Sequence, residues 1–130
     1  MASSLGQKLQ IKPAIEIDVI HTPENLRDLL AQELPENLLK FDPPVTEGAV
    51  LIFLRNQVDV DSIALPRLEK LDGLLPVWLA YPKGTSGVPT DLSRDILWKM
   101  LEPLGWRPAR MIALDDVWSC MRFSPMIGTT

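Results

Sequence analysis

The sequence predicts an α/β fold: one domain over residues 1–130, built on a mostly parallel five-stranded sheet. Three observations lead there. Strand-like apolar runs recur in alternation with segments of helical spacing. Most of the twelve prolines fall between those segments and not inside them. The last two apolar runs flank the pair Asp115-Asp116, and so short a link joins only antiparallel strands. The element order is therefore β-α-β-α-β-α-β-β, Rossmann-like, in two or three layers, with a carboxyl-terminal hairpin.

Each element has its own signal. Residues 1–12 form an amino-terminal segment expected to be loosely ordered. Ala14–Ile20 alternates Ile15, Ile17 and Val19 against Glu16 and Asp18, a strand with one wet face. A helix follows, with Thr22 as N-cap, Pro23 at its first position and Leu26, Leu29, Leu30 and Leu34 as its stripe. Pro35–Glu47 reads as irregular, because Pro43-Pro44 blocks regular structure. The unbroken apolar run Ala49–Leu54 is a strand covered on both faces. Leu65, Leu68 and Leu71 mark a second helix that Pro66 either starts or breaks, with Gly73 as its stop. Pro76–Tyr81 is the third strand. A helix carrying Leu92, Ile96, Leu97, Met100 and Leu101 follows, capped by Thr90 or Asp91 and ended by Gly105. Two strands around Asp115-Asp116 close the domain, and residues 124–130 are read as a tail.

Composition narrows the function. Hydrophobic residues make up 46% and charged residues 23%, so a packed core is expected and disorder is not. Net charge is -4 without a basic stripe, a poor fit to nucleic acid. The apolar runs fall short of a membrane span, and the first residues lack the apolar centre of a signal peptide, so the expected location is cytoplasmic. A lone cysteine, Cys120, and a lone histidine, His21, argue against a disulfide or a multi-ligand metal site, and no cofactor is expected.

Glu16 and Asp18 mark the first strand as a sheet edge. That favours the strand order 1-2-3-5-4, with the last strand antiparallel; the flavodoxin-like 2-1-3-4-5 is its competitor. Sequential crossovers in the first order put the helices on one face and leave the other short of cover, a surface for a homodimer. Ligands of open α/β sheets sit beyond the carboxyl ends of the parallel strands. There the connectivity gathers Lys83, Thr85, Ser86, Asp91, Asp115, Asp116, Trp118 and Ser119, with His21 leaving the first strand at the same edge. The loop Pro82–Gly87 matches no Walker A pattern, and no G-x-G-x-x-G follows the first strand. Lys83 has two readings: a latch to Asp115 or Asp116 joining two loops, or a cation for an anionic ligand helped by the backbone of Gly84–Gly87.

The segments "KLQIKPA", "VWLAYPKGTSGVPTDLSRD" and "IALDDVWSCMRF" resemble the signatures of a small uncharacterised bacterial family. The matching positions are Lys8, Leu9, Ile11, Lys12 and Pro13; then Pro82, Lys83, Ser86, Gly87, Thr90, Asp91 and Leu92; then Asp115, Trp118 and Ser119, with Arg122 where a basic residue is usual. Gln10, Ala14, Gly84 and Cys120 depart from the pattern. The helix–strand–helix run from Leu68 to the closing hairpin is also similar to the second half of a class I methyltransferase. That fold implies the order 1-2-3-5-4, but the sequence lacks its cofactor-binding glycine motif and the acidic residue after the second expected strand. The expected function is a non-catalytic module that binds a small anionic ligand or a protein partner at the carboxyl rim. The alternative is a small transferase or hydrolase, a degenerate methyltransferase, using Asp91, Asp115 or Asp116 for acid–base work.

Overall fold

The structure, a computed structural model, describes residues 8–12, 15–34, 37–44, 46, 48–71 and 75–125. Pro13, Ala14 and the expected helix stop Gly73 lie outside them. Six strands form one sheet: β1 (Ile17–Ile20), β2 (Leu39–Phe41), β3 (Ala49–Phe53), β4 (Val77–Pro82), β5 (Trp106–Ala113) and β6 (Trp118–Pro125). Their order is β2-β1-β3-β4-β6-β5. The pairs up to β3–β4 are parallel, and β6 runs antiparallel to both β4 and β5. The five expected strands thus stand in the order 1-2-3-5-4, and a sixth is added at the end.

The sixth strand corrects two expectations. β2 lies inside the segment read as irregular; three residues before a Pro-Pro pair are too short to display a period. By pairing with β1 it takes over the edge, so the charged strand is interior. All four residues of β1 are buried, Asp18 among them at 1% exposure. A buried carboxylate needs hydrogen bonds, and Asp18 Oδ2 accepts one from the Gly48 N–H at 3.2 Å. Glu16 stays at the surface and pairs with Lys40 at 2.8 Å.

β2 also decides how the faces are covered. The chain goes from β1 to one side for β2, then crosses to the other side for β3 and β4. Right-handed crossovers in opposite directions put their helices on opposite faces. Helix α1 (Glu24–Glu33) therefore covers one face, with Leu26, Leu30 and the following Leu34 against Ile17, Val19, Leu51 and Phe53. The other face carries α2 (Gln57–Asp59), a π-helical segment (Val60–Ala64), α3 (Leu65–Leu68) and α4 (Arg94–Leu101). The result is three layers, and the bare face expected to recruit a second copy is occupied by α1. Further along that face the amino-terminal segment takes over. Leu9 is fully buried with Trp78, Trp118 and Cys120, and its carbonyl accepts the Trp78 indole N–H at 2.8 Å. Burying one leucine contributes about 2 kcal/mol.

Helix boundaries move for local reasons. Pro23, not Thr22, occupies the N-cap of α1 and makes no side-chain cap bond; His21 before it is left-handed at φ 59. The cap of α4 is Ser93, whose hydroxyl accepts from Ile96 N–H at 3.2 Å, because Thr90 and Asp91 are engaged elsewhere. Gly105 ends that helical region at φ 90, as a glycine can without strain. Pro66 lacks an N–H, and its ring would strike the Ser62 carbonyl in a continuous α-helix. The chain widens into π geometry ahead of it, with Leu65 N–H bonded to Val60 O. The final hairpin has four residues between its strands, 114–117, and not two, since Leu114 N–H bonds to Trp118 O across the turn. β6 runs on through Ser124 and Pro125, into the expected tail.

Among the described glycines, Gly48 alone is pressed against another part of the backbone. A Cβ there would lie 2.1 Å from the Glu16 carbonyl oxygen, and that backbone has no room to move beside β1. Gly48→Ala is expected to lower stability by about 3 kcal/mol, read as a reduced urea midpoint.

Candidate functional site

The carboxyl rim of the sheet has two ends with different chemistry. At the β4–β6 end, Lys83 Nζ donates to the backbone carbonyl of Asp115 at 2.7 Å, and Lys83 N–H donates to Val117 O at 2.7 Å. The Asp115 carboxylate faces its own turn instead. Its Oδ1 accepts from Val117 N–H at 2.8 Å and Trp118 N–H at 2.7 Å. Ser86 Oγ donates to Lys83 O and accepts from Val88 N–H, closing the loop on itself. The two loops are thus joined through a carbonyl, not through the carboxylate that the salt-bridge reading required. Trp118 is buried edge-on against Phe53, with ring centroids 5.2 Å apart. Ser119 is half-buried within β6, while Thr85 and Asp116 are exposed.

Asp91 belongs to another cluster. It accepts from Gln57 N–H at 2.8 Å, and its carbonyl takes the Gln57 side-chain amide at 3.0 Å. Thr90 Oγ1 donates to Arg55 O at 2.6 Å and accepts from Leu92 N–H. These bonds tie the loop before α4 to the loop after β3. The residues gathered by connectivity therefore fall into two groups, each occupied by local hydrogen bonds.

At the β1–β3 end lies an open crevice of about 560 Å³, lined by His21, Asp42, Thr46, Ser62, Arg67 and Lys70 with apolar walls from Ile20, Ile63, Pro44 and Pro66. Its volume is within the range of small-ligand sites. Here the chain reverses direction across the sheet, the switch point at which open α/β folds place their ligands. Two non-glycine residues in left-handed conformation stand at its mouth, His21 (φ 59) and Asp42 (φ 49), joined by a 2.8 Å bond from His21 N–H to Asp42 Oδ1. Such conformations persist only where the surroundings impose them. The other Asp42 oxygen lies 3.5 Å from Arg27. Arg67 donates to Thr46 Oγ1 at 2.7 Å and Pro43 O at 3.1 Å, fixing the loop after β2 against α3.

Behind the crevice, Arg55 Nη1 is 2.9 and 2.8 Å from the two ring nitrogens of His21. His21 Nδ1 also lies 3.1 Å from Phe53 O and 3.7 Å from Asp59, whose carboxylate accepts the Arg55 N–H at 2.8 Å. Arg55, Asp59, Asp42, Thr46, Ser62, Arg67 and Lys70 escaped the sequence reading. The one available signal was Asp42 before Pro-Pro, an acidic residue closing a strand too short to recognise. Among the described residues no group of three His, Cys, Asp or Glu side chains could hold a metal, and no helix is long and apolar enough to cross a membrane.

Two groups away from the crevice are set by burial. Desolvation raises the Tyr81 phenol, partly offset by Arg94. Desolvation, reinforced by Asp115, pushes the Cys120 thiol well up, so it is an inert core sulfur.

No family model matches the chain, and neither does any curated protein, so the resemblance to the small bacterial family gains no support there. Among solved structures, the LepI complex with SAM gives a TM-score of 0.51 at 14% identity, over 93% of this chain and 39% of that one. A structure described as a pericyclic reaction enzyme gives 0.48 at 16% identity with the same coverage. The chain spans 39% of the length of either. The first likeness is one of fold alone.

Two measurements check the structural roles. Asp115→Ala removes both turn bonds and is expected to lower stability by about 1–2 kcal/mol, seen as a fall in Tm. Cys120 is expected to resist a thiol reagent in the native protein and to react fully once denaturant opens the core, as followed by absorbance.

Proposed function

We propose that the protein is a binding module for a small anionic molecule, held in the crevice at the carboxyl ends of β1 and β3. The observation that carries the reading is the cationic lining at the switch point. Arg67 bonds only to neutral acceptors, and Lys70 is exposed, with no carboxylate partner among the described residues. Thr46, Ser62 and the imidazole of His21 add hydrogen-bonding groups, and Ile20, Ile63 and the prolines suit an apolar body beside the charge. An Arg–Lys pair at the mouth of a half-enclosed site favours carboxylate or phosphate over a neutral ligand. The site keeps the expected rim and ligand chemistry but moves from the Lys83 loop to the other end.

SAM, which the LepI structure contains, does not fit the same place. A glycine turn would let the backbone approach a cofactor; here the turn is His21-Thr22-Pro23, with side chains at every position. Asp42 does stand after a strand, but one carboxylate oxygen takes the His21 N–H and the other faces Arg27. Catalysis by Asp91, Asp115 or Asp116 has no support from position either, since none of them lines the crevice.

The test is calorimetric titration with inorganic phosphate, a tricarboxylate and a nucleoside monophosphate. At least one should bind, and Lys70→Glu should weaken it by about tenfold or more without lowering Tm. Lys83→Glu should leave the affinity unchanged. Binding that responds to Lys83 and not to Lys70, or no binding by any probe, removes the reading.

A further inference from the structure

A second surface lies at the opposite side of the molecule, on the hairpin that ends the sheet. The ladder between β5 and β6 carries a bulge between Pro108 and Arg110. Before it, Arg107 stands opposite Ser124; after it, Arg110 stands opposite Arg122. Residues directly opposite on neighbouring strands share a face, and successive residues alternate. Ser124 and Arg122 are two apart and so point the same way. The extra residue, Ala109, therefore shifts the phase of β5 and brings Arg107 and Arg110 to one face, where unbroken alternation would part them. That face is shared with Cys120 and Ile112, on the Leu9 side of the sheet.

The charges there are unbalanced. Neither strand contains an aspartate or glutamate. None of the three arginines is in an ion pair among the described residues. Arg110 and Arg122 sit directly opposite each other, an arrangement of like charges that destabilises a sheet. Arg122 Nη1 donates to Gln10 Oε1, and Gln10 is itself held left-handed at φ 59. The Arg122 Nε is buried and lacks a hydrogen-bond acceptor among the described residues. Arg107 and Arg110 are exposed. β5 is also an edge of the sheet, eight residues long, with no strand paired to its outer side among the described residues, although Pro108 supplies no N–H.

We infer that this hairpin is a docking surface for an acidic, extended segment of a partner protein, added as a strand beside β5 with its carboxylates on Arg107 and Arg110. Alternate side chains of an added strand fall on one face, which is the spacing a row of arginines on one face requires. Arginine forks match carboxylates in a bidentate way. Nucleic acid fits less well. The chain is negative overall at -4, and Trp78 and Trp118 on this side of the sheet are buried and cannot stack on bases.

The test uses the full chain and a fluorescent peptide of alternating glutamate and valine, about nine residues long, with an oligothymidylate as comparison. The peptide should bind, and the amides of Trp106–Ala113 should gain protection from hydrogen exchange. Arg107→Glu with Arg110→Glu, both exposed, should weaken binding by about tenfold or more with Tm retained. Lys99→Glu, an equally exposed change on α4, should not. Absent peptide binding, equal loss with Lys99→Glu, or tighter binding of the oligothymidylate would overturn the inference.

Discussion

The architecture depends on the contact between β1 and the start of β3. Gly48 lies so close to the Glu16 carbonyl that no side chain fits, and its N–H reaches the Asp18 carboxylate inside the sheet. That contact sets β3 beside β1 on the side away from β2. The strand reversal, the helices on both faces and the crevice at the switch point all follow from it. An aspartate in the middle of a buried strand would otherwise be a large penalty. Here it helps fix where the next parallel strand enters.

Much of this was legible in the residues. Unbroken apolar runs predicted the interior strands β3 and β4, and the acidic link predicted the closing hairpin. Both carry dense apolar content at strand length, the signal least disturbed by context. The charged first strand misled, because Glu16 and Asp18 look alike in sequence while one pairs with Lys40 at the surface and the other is buried against Gly48. β2 was hidden by its length, and with it the choice between two layers and three stayed open. Helix starts shifted wherever a capping side chain had a better partner across the fold, as Thr90 does in the Arg55 carbonyl.

The rim shows the same limit at the level of function. Connectivity rightly assigned Lys83 and Asp115 to neighbouring loops, but adjacency alone could not tell which atoms would meet. The carboxylate satisfies two N–H groups of its own turn, a local arrangement that aspartates favour. Lysine is left with a carbonyl. By contrast, His21, Thr46 and Arg67 converge from three separate connections, and only the completed fold brings them to one cavity.

The π-helical segment acts as a phase adjuster for the crevice wall. Each residue of an α-helix turns the chain by about 100°, so an insertion of one residue swings everything after it to a new face. Val60–Ala64 absorbs such a step just before Pro66, Arg67 and Lys70, all of which line the cavity. Without that step the Pro66 ring would meet the carbonyl one turn back, and the basic pair would be aimed elsewhere. The cationic character of the cavity is thus set by the winding of the backbone as much as by the choice of side chains.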